Sequence, residues 1–144
     1  MKKDYQIWNI LHDGALVDLQ GSIPGELNIK VEIEYLVNML NGQYDNIFVK
    51  LKNCSLFEYE RNWSKDEIQI YKTIKELDGI EPALMVLSCD EENDYLLIWD
   101  ICGSIKTRYD SAELFLENGD SLSFEELYNA SKEYWRNFGA KAST

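Results

Sequence analysis

Leu27-Asn28-Ile29-Lys30-Val31-Glu32-Ile33-Glu34-Tyr35-Leu36-Val37-Asn38-Met39 is the stretch on which the fold turns. Its apolar residues, Leu27, Ile29, Val31, Ile33, Tyr35, Val37 and Met39, alternate with Asn28, Lys30, Glu32 and Glu34. Successive side chains of a strand point to opposite faces, so this period of two predicts one long strand with an apolar and a charged side. Such a strand belongs in an antiparallel sheet with one wet face. Upstream, residues 15–23 read as its partner strand. Pro24-Gly25 reads as the turn between them, because proline presets its own φ and glycine supplies a positive one. Downstream, residues 41–46 read as a loop and 47–59 as a third strand, with a bulge or bend expected near Asn53-Cys54.

The rest of the chain continues in short elements. Residues 83–89 and 95–102 flank the acidic turn Asp90-Glu91-Glu92-Asn93-Asp94 and read as a hairpin. Further strands are expected over 105–109 and 112–117, closed by Asn118-Gly119, a pair suited to a type I′ turn with two positive φ angles. Between Ser64 and Gly79 the signals conflict. Ser64-Lys65-Asp66-Glu67 has capping-box spacing and Ile70, Tyr71, Ile74 and Leu77 recur at helical spacing, with Gly79 as a stop. The β-branched Ile68, Ile70 and Thr73 favour a strand, so a short helix is expected over 64–79 with a strand as the alternative. The clearest helix starts at Ser123, whose box partner is Glu126. Phe124, Leu127, Tyr128, Ser131, Tyr134, Trp135 and Phe138 form its stripe, and Gly139 is expected to end it. The expected fold is α+β: a single domain over residues 1–144, with an antiparallel sheet of sequential hairpins and the 124–138 helix packed on one face.

The chain has 144 residues, 45% of them hydrophobic and 28% charged, which excludes wholesale disorder. No apolar run approaches the roughly 18 residues that span a bilayer. The net charge is −12, and residues 81–126 carry most of it, with 2 basic and 12 acidic side chains. That field repels nucleic acid and anionic membranes and attracts a basic protein. The exposed cluster Asp90, Glu91, Glu92 and Asp94 is the candidate partner-binding face. A homodimer through a sheet edge is a further expectation. Cys54, Cys89 and Cys102 are odd in number and have no C-x-x-C spacing. With no apolar run behind Met1, they point to a reduced, cytoplasmic chain whose cysteines act as small buried hydrophobes.

Signatures of chemistry are sparse. The one histidine, His12, sits in Trp8-Asn9-Ile10-Leu11-His12-Asp13-Gly14. A single histidine excludes multi-histidine zinc sites. A base beside a carboxylate can form a catalytic pair, but the commoner role is a turn in which both side chains bind backbone amides and Gly14 takes an unusual φ. Trp8, His12, Asp13 and Trp135 are the candidate ligand-binding residues. Asp90, Glu92 and Asp94 are spaced like calcium-loop ligands, but Tyr95 stands where the loop needs glycine, so no metal is expected. Phosphate-cradling and hydrolase motifs are absent, and no cofactor or catalytic residue is expected.

Trp8-x-x-Leu11-His12-Asp13-Gly14, then Gly21, Pro24-Gly25 and Tyr35-Leu36, resembles the start of a group of small uncharacterised bacterial proteins with an LHDG-type N-terminus. Arg108-Tyr109-x-Ser111-Ala112-Glu113, Asn118-Gly119, Ser123-x-Glu125-Glu126-Leu127 and Tyr134-Trp135 carry the resemblance at the other end. These proteins are in turn loosely similar to immunity proteins that neutralise secreted toxins. The acidic block at 81–126 motivates the expectation of a non-catalytic acidic binding protein, and the resemblance suggests its form, an immunity-type inhibitor of a basic toxin. The alternative is an enzyme or small-ligand binder centred on His12 and Asp13.

Overall fold

The structure is a computed structural model that describes residues 4–40, 42–64, 67–78, 80 and 84–142. Two antiparallel sheets share the core. The first half of the deciding stretch is a strand as expected: β2 (Gly25–Glu32) buries Leu27, Ile29 and Val31 and pairs with β1 (Ala15–Gly21). The second half is not. Glu34–Leu40 forms a helix, α2, which buries Leu36 and Val37. Ile33 and Val37 satisfy both periodicities, but Leu36 and Leu40 complete a helical i, i+3, i+4, i+7 set that no strand would bury on one side.

After α2, β3 (Asn46–Cys54) pairs with β2. The chain then bends at Asn53, whose φ is +49°, and leaves the sheet. Leu56–Ser64 forms β4 in the second sheet. The return trip mirrors it: β9 (Gly103–Arg108) pairs with β4, and β10 (Ser111–Leu116) pairs with β3. Ser55 donates its amide to Arg108 O (2.9 Å), Asp110 donates its amide to Lys52 O (2.9 Å), and the Asn53 amide group donates to Asp110 Oδ2 (2.8 Å). One two-stranded ribbon thus runs through both sheets and is bonded through its corner.

The ambiguous segment contains both alternatives in turn. Glu67–Tyr71 is a strand, β5, on the edge of the second sheet, and Ile74–Asp78 is a short helix, α3, capped by Thr73. Lys65, Asp66 and Gly79, part of the capping and stop signals proposed there, lie outside the described residues. The hairpin around the acidic turn is built from β7 (Ser88–Glu91) and β8 (Leu96–Asp100), preceded by the two-residue β6 (Leu84–Met85), which pairs with β1. The sheet orders are β11-β10-β3-β2-β1-β6 and β5-β4-β9-β8-β7, where β11 is Ser121–Leu122. The Asn118-Gly119 turn differs from expectation. Only Gly119 has a positive φ (+91°), and its amide bonds Leu116 O, which describes a type I turn closed by a glycine bulge.

Two helices frame the ends. Tyr5–Ile10 forms α1, buries Ile7 and Trp8, and packs on β7. The final helix, α4, spans Phe124–Ala142 and runs through Gly139 rather than stopping there. Its capping box is formed as expected: Glu126 donates its amide to Ser123 Oγ (3.1 Å) and Ser123 donates its amide to Glu126 Oε1 (3.2 Å). Leu127 and Ala130 join the common core, while most of α4's contacts are with α2 and α1. The stripe is therefore split. Phe124, Tyr128 and Phe138 remain exposed because α1 and α2 cover only part of it. Among the described residues no helix is long and apolar enough to cross a membrane.

Candidate functional site

A short helix and a tight turn build one wall. Helix α1 directs Ile7 and Trp8 inward and leaves Gln6, Asn9 and Ile10 on its outer side. The chain then reverses at Asp13, whose φ is +69°. Asp13 donates its amide to Val86 O (2.8 Å), Gly14 donates to Leu11 O (3.0 Å), and the Tyr35 hydroxyl donates to His12 O (2.9 Å). The unusual φ expected at Gly14 thus belongs to Asp13. Gly14 is needed for space, since a Cβ there would lie 2.8 Å from Leu11 O.

Helix α4 supplies the facing wall. Phe124, Tyr128, Ser131 and Trp135 line one side of it, and with Gln6, Asn9, Ile10 and His12 they enclose an open cleft of about 520 Å³. The His12 ring stacks on Trp135 with centroids 5.2 Å apart and planes 17° apart. Tyr35 and Tyr134 pack behind Trp135 and fix its orientation. His12 Nδ1 lies 2.7 Å from Asn9 O, which can only accept, so Nδ1 carries a proton and donates it there. Nε2 is 3.7 Å from Asp13 Oδ2, so the neighbouring pair does converge.

The four candidate ligand residues therefore separate. His12 and Trp135 share the cleft. Trp8 is fully buried in the core, where its Nε1 donates to the Tyr109 hydroxyl (3.3 Å). Asp13 sits on the rim and lines a different depression with Glu32, Glu34 and Tyr35. Burial pushes the Tyr35 and Tyr109 hydroxyls well above the ordinary tyrosine range, so both stay protonated: Tyr35 donates to His12 O, and Tyr109 accepts from Trp8. None of the eight residues lining the cleft carries a carboxylate, a thiol or an ammonium group.

Among the described acidic residues of 81–126, several are engaged within the fold. Asp100 is used internally, accepting from the Tyr59 hydroxyl (2.5 Å) and the Met85 amide (3.1 Å). Glu117 accepts from the Asp45 and Asn46 amides, and Glu126 caps α4. What remains as a cluster is the β7–β8 tip, where Asp90, Glu91, Glu92 and Asp94 are all exposed. Asp94 is paired with Arg108 (2.5 Å), and Asp90 accepts from Trp99 Nε1 (3.2 Å). Among the described residues no three His, Cys, Asp or Glu side chains converge as metal ligands.

Asn9, which the sequence reading did not single out, ties the two features together. Its Nδ2 donates to Cys89 O (2.9 Å) and its Oδ1 accepts from Cys89 N–H (2.8 Å). The carboxamide thus occupies the outer edge of β7 as a further strand would. Asn9 also lines the cleft, so the bond ties the cleft wall to the strand that leads into the acidic turn. Of the cysteines, Cys54 and Cys89 are buried as expected, but Cys102 lies exposed in the turn after β8. No family model, curated protein or solved structure matches the chain.

Proposed function

We propose that the protein is a non-catalytic binding protein for a basic protein partner. The partner's apolar or aromatic anchor enters the α1/α4 cleft, and its cations meet the acidic β7–β8 tip. The observation behind this reading is the Asn9–Cys89 double hydrogen bond, which ties a cleft-lining residue of α1 to the strand that leads into the acidic turn. An apolar, aromatic centre with a charged rim is the usual anatomy of a recognition surface. Immunity-type inhibition of a basic toxin is the specific form that the sequence resemblance implies.

The test is capture from the native host at low salt, followed by association kinetics with the partner identified. Glu91→Lys with Glu92→Lys is expected to slow association and flatten its salt dependence. Tyr128→Ala is expected to speed dissociation. Equal rates for the charge-reversed and parent proteins would sink the reading. The stacked His12–Trp135 pair favours one second reading, a flat small molecule held in the cleft. A non-covalent adduct that leaves on Tyr128→Ala, with no protein captured, would select it.

A further inference from the structure

Four strands end the two sheets, and three of them are protected. Strands β6 and β11 are two residues long. The outer edge of β7 is occupied by Asn9 and flanked by Asp90 and Glu91. The fourth, β5, is different. Among the described residues Glu67-Ile68-Gln69-Ile70-Tyr71 is paired only with β4; it contains neither proline nor lysine and leaves Ile68 and Ile70 56% and 51% exposed. Proteins normally blunt such an edge, because its free amides and carbonyls template further pairing.

We infer that β5 pairs with β5 of a second copy, antiparallel about a two-fold axis through Gln69, so that two five-stranded sheets become one of ten strands. The hydrogen-bond alternation supports this centre. Asn62 donates its amide to Cys102 O across β4–β9, so the even-numbered residues of β4 bond toward β9 and the odd-numbered ones toward β5. Arg61 is the register partner of Gln69, so Gln69 bonds inward while Ile68 and Ile70 turn their N–H and C=O groups to the open edge. Pairing about Gln69 then sets each Ile68 opposite Ile70 of the second copy, with both bonds exchanged. The four isoleucines share the outer face, since Ile68 and Ile70 are in register with Asn62 and Glu60 there. Glu67 falls opposite Tyr71 of the second copy, so no like charges meet across the new ladder. The strand is thus complementary to itself in side chain and backbone alike.

The interface is smaller than the roughly 1,200 Å² of a standard one, and each chain carries a charge of −12. The dimer is therefore a reversible one that tightens as salt screens the repulsion. Binding of a basic partner at the acidic tip weakens with salt, so the two readings respond in opposite directions and can fail separately.

Sedimentation from about 5 to 500 µM, the range suited to a small interface, is expected to show the mass rising from 16.8 kDa toward twice that value. Ile70→Lys, on an exposed side chain, is expected to weaken the dimer at least about tenfold without unfolding the chain. The register is tested by cross-linking in a Cys102→Ser background. A non-hydrogen-bonded antiparallel pair brings Cα atoms to about 4.5 Å, within disulfide reach. Gln69→Cys should therefore oxidise to a covalent dimer, while Ile68→Cys, which faces Ile70, should not. A mass fixed at 16.8 kDa throughout, or cross-linking equal at the two positions, would overturn the inference.

Discussion

Asn9→Ala removes a side chain that makes two hydrogen bonds to one residue, at 2.8 and 2.9 Å. It leaves the Cys89 N–H and C=O without partners on the outer edge of β7. Each polar group stranded in a buried site costs about 1–3 kcal/mol. Asn9 is half-buried, so water reaches part of the vacated space and the lower end applies. The expected loss is about 2–3 kcal/mol for the pair. For a chain near this length that corresponds to a fall in Tm of roughly 5–10 °C. Urea unfolding should show a lower midpoint with an unchanged slope. Hydrogen exchange should show the Cys89 amide losing protection while the amides of β3 keep theirs. Asn9→Asp sharpens the argument. Its carboxylate still accepts from Cys89 N–H but faces the Cys89 carbonyl with an oxygen, so it should be at least as damaging at neutral pH. It should recover on acidification, when a protonated carboxyl can donate. A loss below about 0.5 kcal/mol, the range of an inert surface change, would refute the bridging role, as would unchanged exchange at Cys89.

Three further outcomes are expected. Cys102 should be the one thiol labelled in the folded protein at mildly alkaline pH, with all three labelled in urea. Burial pushes the Cys89 thiol up to about 12 and also raises that of Cys54, and labelling of either in the folded state would contradict this. Glu117 is held below the ordinary glutamate value of 4.5 chiefly by its bond from the Asn46 amide group. A depressed folded value means that its contribution is complete above pH 4.5 and is lost as pH falls through that folded value. The stability gap between the parent and Glu117→Gln should therefore be present at neutral pH and close in acid. Ser123→Ala should cost about 1 kcal/mol through the α4 cap, read from its urea midpoint, whereas a change at the exposed Asn129 should cost almost nothing.

Features written in local chemistry were legible. The α4 cap needs only a hydroxyl and a carboxylate three residues apart, and Ser123 and Glu126 form it. The β2 alternation held as far as Ile33. Beyond that point the two periods coincide on Ile33 and Val37, and tertiary packing of Leu36 and Leu40 chose the helix. Helix α1 was hidden because it is short and its apolar set, Ile7, Trp8 and Leu11, runs into a turn. The i, i+1, i+4 spacing of that set was the available signal. Of the site, His12 and Trp135 were identified and do meet. Trp8 was not separable from them, since nothing local distinguishes a tryptophan in a wall from one in the core. Asn9 was invisible for a deeper reason: its role depends on a residue 80 positions away. Composition also counts Asp100, Glu117 and Glu126 together with the exposed tip, while the fold uses them as hydrogen-bond acceptors.

The ribbon that bends from one sheet into the other also governs how the molecule comes apart. Residues 46–64 and 103–116 are its two sides, so its outermost pairs close over the whole of 55–110 before either sheet has a centre. Neither sheet can melt alone, because the same two stretches are interior strands of both. Circular dichroism, tryptophan fluorescence and thiol exposure should consequently trace one coincident transition. Folding should be slow for the chain's size, in milliseconds to seconds, since the entropy of closing such long loops must be lost before the distant pairings repay it.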